Sequence, residues 1–365
     1  MARNDAIPVR LLRDNDQLTL LTRFGGQIAA GRFDTRSSDK WRPKFDAGET
    51  QFKALALTYI EEQMYATLVP PLLARTFIPT TVKGNPGDET TTYYRQTRTG
   101  IARLITGRSV DLTRSSFYVE PITHKVVSIG TSFEFNYFDL LAVGAALANH
   151  LPVDLVGENM RAGLESIEKR LDIIAAFGTA TLPSTLGYEL EQDADPGLVG
   201  LFNVPSAASY TIATGAASSQ TWALKTCDEI LADLNGIVGS QVATTYAIHR
   251  PDTIIVPILQ YEQQLQRRMS DVSGETVLSF FLRTRRESGH EIQVHPWMYA
   301  SSAVSSTDAI VAFKRDPRLL EHMLLMDATP IASYQEGLRT ITPIVARTAG
   351  VIARYPLSVS IGAGI

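Results

Sequence analysis

The chain has 365 residues, 44% hydrophobic and 20% charged, the composition of an ordinary folded, water-soluble protein of one large domain or two to three smaller ones. A formal net charge of −4 argues against wholesale neutralisation of nucleic-acid phosphates. Cys227 is the single cysteine, which excludes an intrachain disulfide and a cysteine-based zinc cluster and suits synthesis in a reducing cytosol.

Residues 1–8 carry charge early and lack the apolar core of a signal peptide, and no apolar run approaches the roughly 18–20 residues that cross a bilayer. Residues 1–50 are polar and rich in arginine and aspartate, which fits either a disordered tail or an extended arm that orders against neighbouring subunits. Scattered apolar anchors, among them Leu20, Phe24, Phe33 and Trp41, favour the arm. Phe52, Leu55, Tyr59, Ile60 and Met64 predict a helix over 52–68, ended by Pro70-Pro71.

A region of β character follows. Residues 90–95 are β-branched and aromatic, and 119–135 alternate with period two through Val127, Ile129, Thr131, Phe133 and Phe135. Between them lie Arg95, Arg98, Arg103, Arg108, Asp111 and Arg114, with few bulky apolar residues. A charged two-stranded ribbon of this kind has too little apolar surface to be stable alone, so it is either a solvated hairpin or an element with a partner surface.

Residues 136–149 predict a short helix and 152–177 a long one. In the long one Val156, Met160, Leu164, Ile167, Leu171 and Ile174 form one apolar stripe, with Asp154 as N-cap and Gly178 as the stop. Residues 178–219 are loop-rich, with an acidic run at Glu189, Glu191, Asp193 and Asp195, and a domain boundary is placed near the small-residue stretch 206–219. Beyond it the pattern predicts a helix over 221–238, strands over 245–249 and 253–256, and a helix over 257–269. It goes on to a short element over 276–283, strands over 291–294 and 309–314, and a β-rich end with a turn at Ala349-Gly350. This mixed order points to an α+β fold.

Chemistry-bearing motifs are sparse. His290 and His295 are five residues apart, not the four of a zinc-protease helix, and the intervening residues prefer a strand that points them to opposite faces. The acidic run lacks the loop glycine and distal glutamate of an EF-hand, which leaves a solvated loop as the simpler reading. Cys227 falls on the apolar stripe of its helix, where a buried structural thiol is expected. No cofactor, metal or catalytic residue is expected.

The order of elements from about Phe52 onward resembles the tailed-bacteriophage major capsid proteins of the Hong Kong 97-type fold. The segments that carry the likeness are residues 59–65 with 72–75, Ile167 to Asp172 with Ala176-Phe177-Gly178, and residues 197–203, 251–257 and 276–281. Lys314 to Pro317, Gln335 to Leu338 and residues 346–356 complete it. The resemblance implies an extended N-terminal arm at 1–50 and the first helix and strand of a peripheral domain at 51–87. It implies an extended β-ribbon loop with its returning strand at 88–135, a peripheral domain at 136–214 with a spine helix at 153–177, an axial domain at 215–310, and returning C-terminal strands at 311–365.

It further implies a self-assembling, non-enzymatic subunit of hexamers and pentamers in an icosahedral virion shell, made in a bacterial cytoplasm. The implied partners are other copies, a portal at one vertex, separate scaffolding and decoration proteins as candidates, and packaged double-stranded DNA held only non-specifically, with no membrane. Arg95, Arg98, Arg103, Arg108, Asp111, Arg114, Leu20, Phe24, Phe33 and Trp41 become the expected inter-subunit contacts. An encapsulin-like nanocompartment shell is the alternative within the fold, and a metal-dependent hydrolase using His290 and His295 the alternative outside it. About 50 residues precede the core, which implies a separate scaffold. Lys83 and Lys125 lie near the ribbon while residues 236–365 contain no asparagine, so the lysine–asparagine cross-link of the type shell is not expected.

Overall fold

A computed structural model describes residues 70–104, 113–148, 155–179, 197–270 and 274–365. The segment 1–50 and the helix expected over 52–68 lie outside them.

Chain order runs α1 (Ala74–Phe77), β1 (Thr80–Val82), β2 (Thr90–Thr99), β3 (Ser116–Lys125), β4 (Val127–Asn136), α2 (Tyr137–Ala148) and α3 (Leu155–Phe177). It continues with β5 (Ala208–Thr211), α4 (Cys227–Thr244), β6 (Thr253–Val256), α5 (Val277–Glu287), β7 (Gln293–Pro296) and β8 (Ala309–Phe313). The last strands are β9 (Leu320–Pro330), β10 (Tyr334–Glu336), β11 (Arg339–Ala353) and β12 (Val359–Ala363). Strands and helices follow no regular β-α-β alternation and most strand pairs are antiparallel, which is an α+β arrangement.

Two five-stranded sheets organise these elements. The first runs β1-β9-β11-β10, with β4 also paired to β11; the second runs β5-β12-β8-β6-β7. Among the described residues β2 and β3 pair only with each other. Helix α3 lies on the first sheet, where Ile167 and Leu171 join Leu324, Ile344 and Ala346 in a buried cluster. Its apolar stripe is graded, because Val156 is exposed whereas Ile173 to Phe177 are all buried. Gly178 stops the helix as expected: its φ is 68°, and a Cβ there would stand 2.1 Å from the Leu198 carbonyl oxygen.

Phe177, Phe202, Trp297 and Tyr299 stack and edge against one another with ring centroids 5.5–5.9 Å apart. Fully burying each such side chain contributes roughly 1.5–3 kcal/mol. Helix α4 starts on a capping box, the Thr226 hydroxyl accepting from the Glu229 amide and the Glu229 carboxylate from the Thr226 amide. It buries Ile230, Leu234, Ile237 and Val238 in the core of the second sheet. Inside that core Asp233 accepts from the Trp222 indole at 2.9 Å and pairs with Lys225.

Several sequence expectations are corrected. Residues 245–249 are a turn, not a strand, since α4 runs on to Thr244 and Tyr246 and Ala247 take positive φ values of 51° and 64°. The expected helix over 257–269 shrinks to a π-helical turn at Gln260–Gln264. The helix expected over 221–238 begins only at Cys227, after a 3-10 turn at Trp222–Leu224. Ala349-Gly350 is no turn but a bulge inside β11: Gly350 has φ 73°, and a Cβ there would lie 2.8 Å from the Val199 carbonyl oxygen. Strand β9 was not anticipated. Cys227 is half-buried at the first position of α4, its thiol donating to the Arg268 carbonyl oxygen at 3.3 Å, and so does not sit in the core.

Candidate assembly surfaces

The ribbon grows from a clamped root. Tyr93 on β2 stacks on His124 of β3 at 5.7 Å, and the Arg354 guanidinium lies 5.9 Å from the Tyr93 ring centroid. Burial pushes the His124 imidazole below its ordinary pKa and the Tyr93 phenol above its own. Arg354 also donates to the Pro317 carbonyl oxygen at 2.6 Å and to the Glu321 carboxylate. Glu321 is wholly buried, and it accepts from Lys83 at 3.0 Å and Thr81 at 2.9 Å. Burial alone would raise its pKa; the bonds from Lys83, Arg354 and Thr81 outweigh that and hold it below the ordinary glutamate value.

From Tyr94 to Thr99 every residue of β2 is exposed, as is every residue of β3 from Ser116 to Pro121. The register sets Tyr94 opposite Pro121, Gln96 opposite Val119 and Arg98 opposite Phe117 on one face. Tyr94 (73% exposed), Phe117 (64%) and Val119 (53%) therefore form an apolar strip open to water on a free-standing hairpin. A hairpin with its apolar strip uncovered lacks the packing that stabilises strands.

Of the expected contact residues, Arg95 pairs with Glu120 of its own chain at 2.7 Å. Arg98, Arg103 and Arg114 are exposed. Arg108, Asp111, Leu20, Phe24, Phe33, Trp41 and the acidic run Glu189 to Asp195 lie outside the described residues. The sequence reading named the charges of the ribbon but not its apolar strip. The signal was present in Tyr94 and in Phe117-Tyr118-Val119, just outside the polar stretch that drew attention.

A second uncovered patch lies where α2 meets the β10–β11 hairpin. The Tyr137 amide donates to the Leu338 carbonyl oxygen at 2.9 Å, and Tyr137, Phe138, Leu141, Tyr334 and Leu338 are all exposed. Within 215–310, Leu224, Tyr246, Ile248 and Leu259 are also exposed. The exposed apolar side chains of the ribbon and of the α2 patch are of the kind that marks a binding face.

At the interface of α1, α3 and β9, Arg75 grips Asp327 and Glu168, each at 2.7 Å, and Asp172 accepts from the Ala74 amide at 2.6 Å. Burial pushes the Asp172 carboxyl up to about 6. His322, buried beside Thr348, is pushed down to about 4, chiefly by burial and then by the nearby Arg75 charge.

No group of three or more histidine, cysteine or acidic side chains among the described residues could hold a metal ion. The His290 ring nitrogen lies 2.7 Å from the Pro251 carbonyl oxygen, and His295 stacks on Phe77 at 4.9 Å, so each ring has a partner of its own. No helix among the described residues is long and apolar enough to cross a membrane.

The fold and part of the sequence have counterparts among known proteins. The capsid of Myoviridae phage XM1 superposes with a TM-score of 0.70 at 14% identity, covering 86% of this chain and 98% of that one. The fold is that of a tailed-phage capsid subunit. Structures from Mycobacterium phage Adephagia (TM-score 0.56, 14% identity, 87% of this chain and 97% of that one) and Mycobacterium phage Bobi (0.54, 16%, 87% and 98%) align over the same range. The family model described as major capsid protein matches residues 190–365. A search of curated proteins finds no match. The likeness to solved structures is thus one of fold, and the likeness to the major capsid protein family model is confined to the C-terminal part of the chain.

Proposed function

We propose that the chain closes an icosahedral phage head from hexamers and pentamers of itself, acting by assembly and not by catalysis. One observation carries this reading: the ribbon holds Tyr94, Phe117 and Val119 exposed beside Arg98, Arg103 and Arg114, which have no acidic partner among the described residues, a surface suited to be covered by another molecule. Rotational head-to-tail contacts between copies suit such an element, because a protruding part on one subunit meets a different surface on the next and the ring closes. Each exposed ion pair contributes about 0–1 kcal/mol, so overlap area and repetition supply most of the stability.

In this reading residues 88–135 lie over the adjacent subunit, 136–214 with 311–365 form the peripheral domain, and 215–310 crowd the ring axis with their exposed apolar residues. Residues 1–50 act as an arm on a neighbour. A portal at one vertex, separate scaffolding and decoration proteins, and packaged DNA touched only non-specifically complete the partners. Negative-stain microscopy of the expressed protein, alone and with the products of its neighbouring genes, tests it. Closed shells are expected; chains that stay monomeric at every concentration would overturn it. Shells that enclose a protein cargo instead of DNA would favour a nanocompartment.

A further inference from the structure

At the root of the ribbon Tyr93 to Gln96, Arg98, Arg354 and Tyr355 line an open cavity of about 530 Å³, and no carboxylate lines it. Two of the guanidinium groups have acidic partners nearby, Arg95 in Glu120 and Arg354 in buried Glu321. Arg98 has none among the described residues. A planar guanidinium fork is suited to a carboxylate, which it can bind in two-point fashion. A phosphate strand needs several uncompensated cations in a row, and here one of three is uncompensated.

The sequence holds a matching counter-charge. Residues 95–114 contain five arginines against the single Asp111. Residues 171–224 contain Asp172, Glu189, Glu191, Asp193 and Asp195 and neither lysine nor arginine. We propose that this cavity is a carboxylate-binding site, occupied on assembly by the acidic run Glu189 to Asp195 of a second copy of the chain. The inference rests on the shell reading and names the partner chemistry at the ribbon root. The acidic run supplies separate carboxylates that can reach Arg98 singly, and electrostatic attraction of this kind fixes which surfaces meet and in what register.

The test uses full-length subunits under conditions where light scattering shows them unassembled, with a labelled synthetic peptide of residues 186–197 as probe. Fluorescence anisotropy should show saturable binding that weakens as salt is raised. Arg98→Glu should weaken it about tenfold, the scale of one lost charge contact, while Arg98→Lys retains most of it. A peptide with the four carboxylates replaced by their amides should not bind. Because Arg98 is exposed, both variants should keep the wild-type melting temperature.

Absence of binding, equal binding of the amide peptide, or indifference to Arg98→Glu would each overturn the proposal. So would a short single-stranded DNA that displaces the peptide at lower concentration than the unlabelled peptide does. Binding seen only when the chain's own four carboxylates are neutralised would overturn the second copy as occupant. Particle formation is scored separately by microscopy, so particles without peptide binding sink this inference alone, and binding without particles sinks the shell reading.

Discussion

Lys225 and Asp233 meet at 2.5 Å with both side chains shut off from solvent. Asp233 also accepts the Trp222 indole proton, so two buried donors, the Lys225 ammonium and the Trp222 indole, depend on one carboxylate. Removing one partner of a buried pair strands the other without water. Asp233→Ala is expected to destabilise the subunit by about 3–5 kcal/mol, measured by denaturant unfolding. The double change Lys225→Met, Asp233→Leu should recover most of that loss, falling short only by the orphaned Trp222 donor.

Asp172 and His322 should impose opposite pH dependences on the same core. The folded-state pKa of Asp172 is raised to about 6, so its stabilising contribution is full below about pH 4 and is lost as pH rises through 6. His322 is lowered to about 4, so its contribution is full above about pH 6.5 and is lost as pH falls through 4. Each swing is of order 3 kcal/mol. Asp172→Asn should therefore gain stability over the wild type as pH climbs from 4 to 6 and then hold a constant difference. His322→Gln should show the mirror slope against the wild type, and parallel profiles for the two variants would contradict the assignment.

Reversal of the ribbon charges, Arg103→Glu with Arg108→Glu, is expected to lower the yield of closed particles by on the order of tenfold, read by sedimentation. The melting temperature of the unassembled subunit should not move. An equal loss in both measurements would mean that these arginines support the subunit itself.

Deletion of residues 2–45 should leave a folded subunit, seen by an unchanged far-ultraviolet spectrum of the core, with impaired shell formation. Ordering an arm on a neighbour costs roughly 1–2 kcal/mol per residue in backbone entropy, which apolar anchors such as Phe24 and Trp41 would offset. Boiling a mature shell in denaturing detergent should release monomers, since residues 236–365 offer no asparagine to a lysine.

The long helix and the second sheet were legible because their signals are local. Ile167, Leu171 and Ile174 repeat at helical spacing, and Thr253 to Val256 and Ala309 to Phe313 are short apolar runs buried on both faces. Strand β9 was not, because Leu320 to Leu325 read as a mixed polar and apolar stretch. Glu321 and His322 are buried there only because Lys83, Arg354 and Thr348 reach them from distant parts of the chain. The Ala349-Gly350 pair looked like a turn for a sound local reason, yet the glycine serves the close approach of Val199. On the ribbon, periodicity showed the strands but could not show that Tyr94 and Phe117 share an uncovered face, which depends on the cross-strand register.

The ribbon's returning strand, β3, continues past Val126 directly into β4, whose ten residues are laddered antiparallel to β11 from Asn136 opposite Arg339 to Val127 opposite Thr348. Ladder bonds stand perpendicular to the strands. A pull on the hairpin tip along its length therefore loads those bonds together in shear and does not peel them one by one. Tension applied to the ribbon would be carried into the sheet and, through β11, toward β12 in the other sheet, so a ribbon held by another molecule should let go before the subunit tears.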